Sequence, residues 1–433
     1  MNRASWLIWL APAAVGIVLT AALLGDDGPS SPPASAPPDS ASVDATSLSG
    51  DNASSTSAAS TPPTTSFAQR VPELPTEPFN YHTELPDHFR FNAIPGADQR
   101  PVAELDNTPA SNPTTNAGAT LGRVLFYDVN LSANRTVRCA SCHVQVNAFT
   151  DPLVFSQGVS GRRTRRNSMG LANAAFNLQG RYFWDERAAT LEDQVLEPFL
   201  DPIEMAIPLE IVVERITEQD YYQGLFQDAF GDDAVTPERI SAALAQFVRA
   251  MVSVDSRYDQ GRAEVDSPLD PFPNFSDDEN RGKELFYQPI NDGGGGCSGC
   301  HTSEAHVSSP TGPKNNGIDP PVQVEQVPDL GAFESTNELS DVGLFRVPSL
   351  RNIAATAPYM HDGRFVTLDD VIDHYNEAIQ PHENLSPELR GPNGPVRLNF
   401  DADDRRDLVA FLDALTDDSF LTDERFSEPF RGF

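Results

Sequence analysis

A chain of 433 residues with a formal net charge of −33 and a pI near 4.4 has room for two or three domains. Its charge argues against binding to nucleic acid or to anionic membrane surfaces. The acidic balance suits a positively charged redox partner, although a solvated acidic surface produces the same figure.

The N-terminus opens with Arg3 and an uncharged apolar run from Trp6 to Leu24, followed by Asp26 and Asp27. That run nearly matches the roughly 20 residues that span a bilayer and exceeds an ordinary signal-peptide core. Residues 1–27 are therefore expected to form a transmembrane anchor or an export signal, with the N-terminus cytoplasmic. The stretch 28–70, rich in Ser, Pro, Ala and Thr, lacks the apolar residues to bury a core and reads as a disordered tether. Residues 71–115 remain proline-rich but carry Phe79, Tyr81, Phe89 and Phe91, as expected for an ordered arm lying on the body.

From there the chain is an internal duplication. Gly122-Arg-Val-Leu-Phe126-Tyr127 precedes Cys139-Ala-Ser-Cys142-His143, and Gly282-Lys-Glu-Leu-Phe286-Tyr287 precedes Cys297-Ser-Gly-Cys300-His301. Each unit closes on an amphipathic helix, Pro237–Met251 and Ala402–Leu415, with apolar residues recurring at three and four. Strand signals are scarce. The expected fold is mainly α, with two cytochrome-c-like domains in tandem at 116–270 and 271–433.

The two pentapeptides use all four cysteines. Cys-x-x-Cys-His is the attachment signature of a c-type haem: two thiols add across the porphyrin vinyl groups and the adjacent His reaches the iron. Two covalently bound haem c groups are the expected cofactors. Haem c is attached outside the cytoplasm, so a periplasmic location is expected, with residues 6–24 as anchor or as a cleaved signal. Aligning Asp185-Glu-Arg187 with Asp362-Gly-Arg364 places Trp184 opposite His361 and Pro198 opposite Tyr375. If this position approaches the distal side of each haem, the second iron meets an oxygen donor and the first meets a side chain with none.

These motifs, with Arg166-Asn167-Ser168, Phe183-Trp184-Asp185, Ile203-Glu204-Met205, Val347–Asn352 and Ala357–Gly363, closely resemble the bacterial di-haem cytochrome c peroxidase family and its MauG-like branch. The resemblance runs from about Gly122 to Leu415. It implies a peroxidatic haem in the first unit, where Glu204 moves a proton between peroxide oxygens and Gln194 orients the peroxide beside Pro198. It implies electron relay through Trp184 and one calcium ion held by Asn167, Thr356 and Pro358. It places Tyr375 on the second haem, with Met360 and His374 as rivals. Many family members carry a distal histidine in the first unit, but none lies between His143 and His301 here, so the first haem is expected open. His82, His88, His306 and His382 are expected at the surface.

The implied activity is peroxide reduction with electrons passed by the second haem, supplied by a small cytochrome c or cupredoxin. The alternatives are oxidation of aromatic residues on a partner protein, or electron transfer without catalysis. A homodimer remains open.

Overall fold

The computed structural model describes residues 71–91, 100–177, 179–307, 312–320 and 327–430. The expected membrane segment and tether lie outside the described residues, and among those described no helix is long and apolar enough to cross a membrane.

Eight longer helices carry the body: α1 (Asn116–Tyr127), α2 (Leu209–Thr217), α3 (Asp220–Phe230), α4 (Pro237–Arg249), α5 (Arg257–Arg262), α6 (Asp277–Tyr287), α7 (Leu368–Asp373) and α8 (Ala402–Asp413). Their starts are encoded locally. Thr115 and Thr236 accept backbone hydrogen bonds from Gly118 and Arg239, while Ser276 and Asp401 form capping boxes with Glu279 and Asp404. Pro237 sits in the first turn of α4, where its missing N–H costs nothing. The only β-strands among the described residues are the two-residue pair Arg390–Gly391 and Gly394–Pro395.

Each half of the duplication rests on one packed pair, α1 with α4 and α6 with α8. The repeated glycine explains why these helices can approach so closely. A Cβ on Gly122 would fall 2.0 Å from the Ala243 carbonyl oxygen, and one on Gly282 would fall 1.8 Å from that of Asp407. Either side chain would push the pair apart and open the core.

The first core gathers Leu121, Val124 and Phe126 of α1 with Ile240, Leu244 and Phe247 of α4, and Phe126 meets Phe247 edge-on at 5.4 Å. The second gathers Leu285 and Phe286 with Leu408, Phe411 and Leu412. A third, smaller core joins Phe89, Val102 and Leu105 of the arm to Phe176, Ala305 and Val307. Each buried Phe or Leu contributes roughly 1.5–3 kcal/mol.

A boundary at residue 271 does not hold for the C-terminal tail. Phe420, Phe426 and Phe430 pack in the first core, and the Tyr127 hydroxyl donates to the Phe426 carbonyl at 2.7 Å. The tail thus completes the first core.

Candidate active site

Both pentapeptides open onto one cavity of about 810 Å³, lined by Cys142 and His143 at one end and by Cys297, Cys300 and His301 at the other. The four cysteines form no disulfide. Burial pushes the Cys139 and Cys297 thiols up to about 12 and those of Cys142 and Cys300 to about 11. Each histidine is fixed through Nδ1, which lies 2.7 Å from the Phe149 carbonyl in His143 and 3.0 Å from the Pro348 carbonyl in His301. A carbonyl at Nδ1 requires the proton there and leaves the Nε2 lone pair for a metal. Burial lowers both imidazole pKa values, His301 to about 4, so both rings stay neutral. Paired thiols, an oriented neutral imidazole and an apolar cleft fit a covalently held haem at each end.

At the His143 end the wall includes Gln194, Pro198 and Glu204. Gln194 closes the helical turn Leu191–Gln194, and Pro198 lies in the first turn of Glu197–Leu200. The Glu204 loop is held from both sides: the Asp201 carboxylate accepts from the Ile203 and Glu204 amides, and the Met205 amide donates to the Pro198 carbonyl. Gly158 lets a neighbouring turn lie directly on this loop, since a Cβ there would stand 1.6 Å from the Ile203 carbonyl oxygen. Burial pushes the Glu204 carboxyl up to about 7; nearby Asp201 and Glu197 add to the rise and Arg187 opposes it. A carboxyl that exchanges its proton near neutral pH is suited to acid–base work.

Trp184 lines the same cavity. Its Nε1 donates to the Asn167 carbonyl at 2.8 Å, its own carbonyl accepts from the Arg346 amide, and its ring meets His361 edge-on at 6.4 Å. His361 in turn stacks on Phe345 at 3.7 Å. The two residues aligned by the internal repeat therefore touch. Arg166 braces this region through Asp185 and Asp329, at 2.5 and 2.7 Å. Asn167, Thr356 and Pro358 line the same cavity. The Asn167 side-chain amide donates to the Leu153 and Val154 carbonyls, which turns Oδ1 away from them. Among the described residues no hydrogen bond reaches that oxygen or the Thr356 and Pro358 carbonyls, a donor set of the hard kind that calcium takes.

At the His301 end, Tyr375 and Met360 both line the cavity, and the Asn316 side-chain amide lies 3.4 Å from the Tyr375 hydroxyl and 3.5 Å from the Met360 sulfur. Burial pushes the Tyr375 phenol up to about 12. His374 is turned elsewhere, with Nε2 3.1 Å from the Asn316 carbonyl.

Comparison with known proteins agrees with this geometry. Residues 116–266 match the family model described as di-haem cytochrome c peroxidase. The cytochrome c551 peroxidase of Nitrosomonas europaea is 32% identical over 302 residues, covering 69% of this chain and 80% of that protein. The chain belongs to the di-haem cytochrome c peroxidase family. Within that family, the methylamine utilization protein MauG of Methylorubrum extorquens is 31% identical over 308 residues, 71% of this chain and 80% of that one. A solved MauG-like protein associated with microbial copper homeostasis superposes with a TM-score of 0.66 at 32% identity, covering 81% and 99% of the two chains. The fold is thus the mainly helical di-haem peroxidase fold, the enzyme is a di-haem oxidoreductase, and the family's two haem c groups account for both pentapeptides.

Two histidine expectations are corrected by the structure. His82 is exposed and His382 half-buried, but His88 and His306 are buried. His88 lies 2.9 Å from the Asp259 carboxylate, and His306 lies 3.0 Å from the Tyr287 hydroxyl. Their partners are distant in sequence, so nothing local marked them as interior. Asn316, between the two rival donors at the His301 end, carried no motif either.

Proposed function

We propose that this chain is an exported peroxidase that reduces hydrogen peroxide at the His143 end of the cavity and draws electrons through the His301 end. The observation that carries the reading is Glu204, a half-buried carboxyl poised near pH 7 that lines the His143 end of the cavity with Gln194 and Pro198. Bound there, haem c supplies a redox-active iron at which a peroxide O–O bond can be broken.

The chain's own groups do the rest. Pro198 offers no donor atom, which leaves room for peroxide opposite His143. The Gln194 amide hydrogen-bonds the bound peroxide and fixes its orientation. Glu204 as carboxylate takes the proton from the nearer peroxide oxygen and returns it to the departing one, which leaves as water. Trp184 joins the two ends by an aromatic ring braced at Nε1. Asn167, Thr356 and Pro358 would hold a calcium ion, which would tie together the chain segments flanking Trp184. Electrons come from a small cytochrome c or cupredoxin, for which the acidic chain is a complementary surface. Residues 1–27 deliver the protein to the periplasm as anchor or signal.

Oxidation of aromatic residues on a partner protein is the second reading, favoured by Tyr375 at the His301 end, because an oxygen donor supports higher oxidation states than a thioether does. Peroxide consumption assayed with reduced cytochrome c, beside mass spectrometry of proteins recovered with the enzyme, separates the two. Turnover with cytochrome and unmodified partners supports the first reading; peroxide-dependent crosslinks or hydroxylations without cytochrome oxidation support the second. Resting-state EPR with two low-spin signals and no high-spin component would refute both, since neither haem would then be open.

A further inference from the structure

Behind the His301 end lies a buried polar array that the peroxide reaction does not use. Tyr258 of α5, Tyr287 of α6, Glu304 and His306 are all under 10% exposed. The Tyr258 hydroxyl lies 2.5 Å from Glu304 Oε2 and 2.8 Å from the Tyr287 hydroxyl, which lies 3.0 Å from His306 Nε2. Glu304 Oε1 accepts from Arg262 Nε at 3.0 Å.

Proton counting gives the array a direction. Glu304 paired with Arg262 is an acceptor, so the single Tyr258 proton points to it. Tyr287 must then donate to Tyr258, and His306 must donate through Nε2 to Tyr287. His306 Nδ1 is buried without a hydrogen-bond partner, as a bare acceptor nitrogen would be in that tautomer. The chain runs one way: His306 to Tyr287 to Tyr258 to Glu304.

The internal repeat shows that this polarity is not demanded by the fold. The residue that closes the turn after His143 is Phe149, and its counterpart after His301 is His306; both have positive φ, at 60° and 48°. Phe149 packs among Phe126, Phe420 and Phe426 with no polar side chain to serve. The second unit puts His306 where Phe149 stands, so that Tyr287, whose counterpart Tyr127 donates to the Phe426 carbonyl, meets a base and a second tyrosine instead. Phe286, which lines the cavity, has its ring 5.2 Å from Tyr287 and 5.4 Å from His306, so the array stands one ring behind the cavity wall.

We propose that Tyr258 is a redox-active tyrosine that yields one electron when peroxide arrives without an external donor. Resting on the peroxidase reading above for its oxidant, the step balances as follows. The Tyr258 phenol loses one electron, which fills a one-electron deficit left in the protein by peroxide reduction. Its O–H bond breaks, the proton forms a new O–H bond on the Glu304 carboxylate, and a neutral tyrosyl radical remains. The Arg351 guanidinium lies 5.0 Å over the Tyr258 ring and disfavours a cationic oxidised ring, so the proton must leave with the electron. The Tyr287 hydroxyl then stabilises the radical oxygen by donating to it. The array gives the enzyme a place to hold an oxidising equivalent away from both ends of the cavity.

The test is freeze-quench EPR of the holoenzyme mixed with hydrogen peroxide in the absence of reductant, with peroxide loss followed in parallel. The expected result is a tyrosyl signal that narrows when the protein carries ring-deuterated tyrosine and is lost in Tyr258→Phe. In Tyr287→Phe the signal should persist with a shifted g-anisotropy, because the hydrogen bond to the radical oxygen is gone. Peroxide loss with no tyrosyl signal overturns the inference and leaves the peroxidase reading standing. An undiminished signal in Tyr258→Phe, or an unshifted one in Tyr287→Phe, also overturns it. Failure to consume peroxide overturns both readings together.

Discussion

Glu204→Gln is the sharpest perturbation of the proposed chemistry, because it removes a titrating proton and keeps the shape. A carboxyl that titrates at about 7 rather than 4.5 costs about 3 kcal/mol more to ionise. Between those two pH values the folded protein holds a proton that the unfolded chain has released. Stability therefore falls as pH rises through that window and is lowest above pH 7. The Gln variant has no such loss, so it should match the wild type below about pH 4.5 and exceed it by up to about 3 kcal/mol above pH 7. Activity should move the other way. Proton abstraction from peroxide needs the carboxylate, so wild-type kcat/KM for peroxide should rise with pH and level off above pH 7. The variant should be flat with pH and lower by roughly 10²–10⁴-fold. Stopped-flow peroxide kinetics and thermal melts, each taken from pH 5 to 8.5, measure both limbs. A variant that keeps the bend near pH 7, or loses less than a fewfold in rate, refutes the assignment of Glu204 as the proton carrier.

Three further predictions test other parts of the molecule. Tyr375→Phe should alter the low-spin EPR signal of the second haem while Met360→Leu leaves it intact; a near-infrared methionine–iron band that survives Tyr375→Phe would assign Met360 instead. Removing calcium by chelation, or substituting Asn167→Ala, should slow electron exchange between the haems more than it lowers either unit's melting temperature, and unchanged exchange at zero metal content would exclude the site. Asp259 is buried between Arg351, at 2.5 Å, and His88, and although burial alone would raise its pKa the Arg351 charge and the hydrogen bonds from His88 and Arg351 hold it well below the carboxylate range. Its stabilisation should be present above pH 4 and lost as pH falls further, and Asp259→Asn should destabilise the fold by roughly 3–5 kcal/mol in denaturant titrations at pH 7, an effect absent if the cluster carries no net charge pairing.

What could be read from the sequence was what is written locally or twice. Both haem sites lie within five residues, the helices announce themselves by caps and a 3.6-residue period, and Gly122 and Gly282 mark the same crossing in each half. Trp184 and His361 were aligned by the repeat before the structure brought their rings together. The unread parts depend on chain segments far apart. His306 looks like any polar loop residue until Tyr287 and Phe411 close over it. Asn316 sits 44 and 59 residues from the two side chains it separates. Apolar residues in the tail reveal that something will be buried, yet not against which core.

That tail bears on how the enzyme is made. Phe426 meets Phe247 of the first core and Tyr81 of the arm, so the earliest described segment and nearly the last residue share one hydrophobic cluster. A chain that emerges N-terminus first cannot finish its first unit until Phe420, Phe426 and Phe430 have been made. Contacts across such separations close late and slowly. The cysteines at 139 and 142 are thus expected to stay reachable for haem attachment until the tail docks. A nascent chain cut short near residue 415 would keep the second core, which ends at Leu415, and leave the first unsealed.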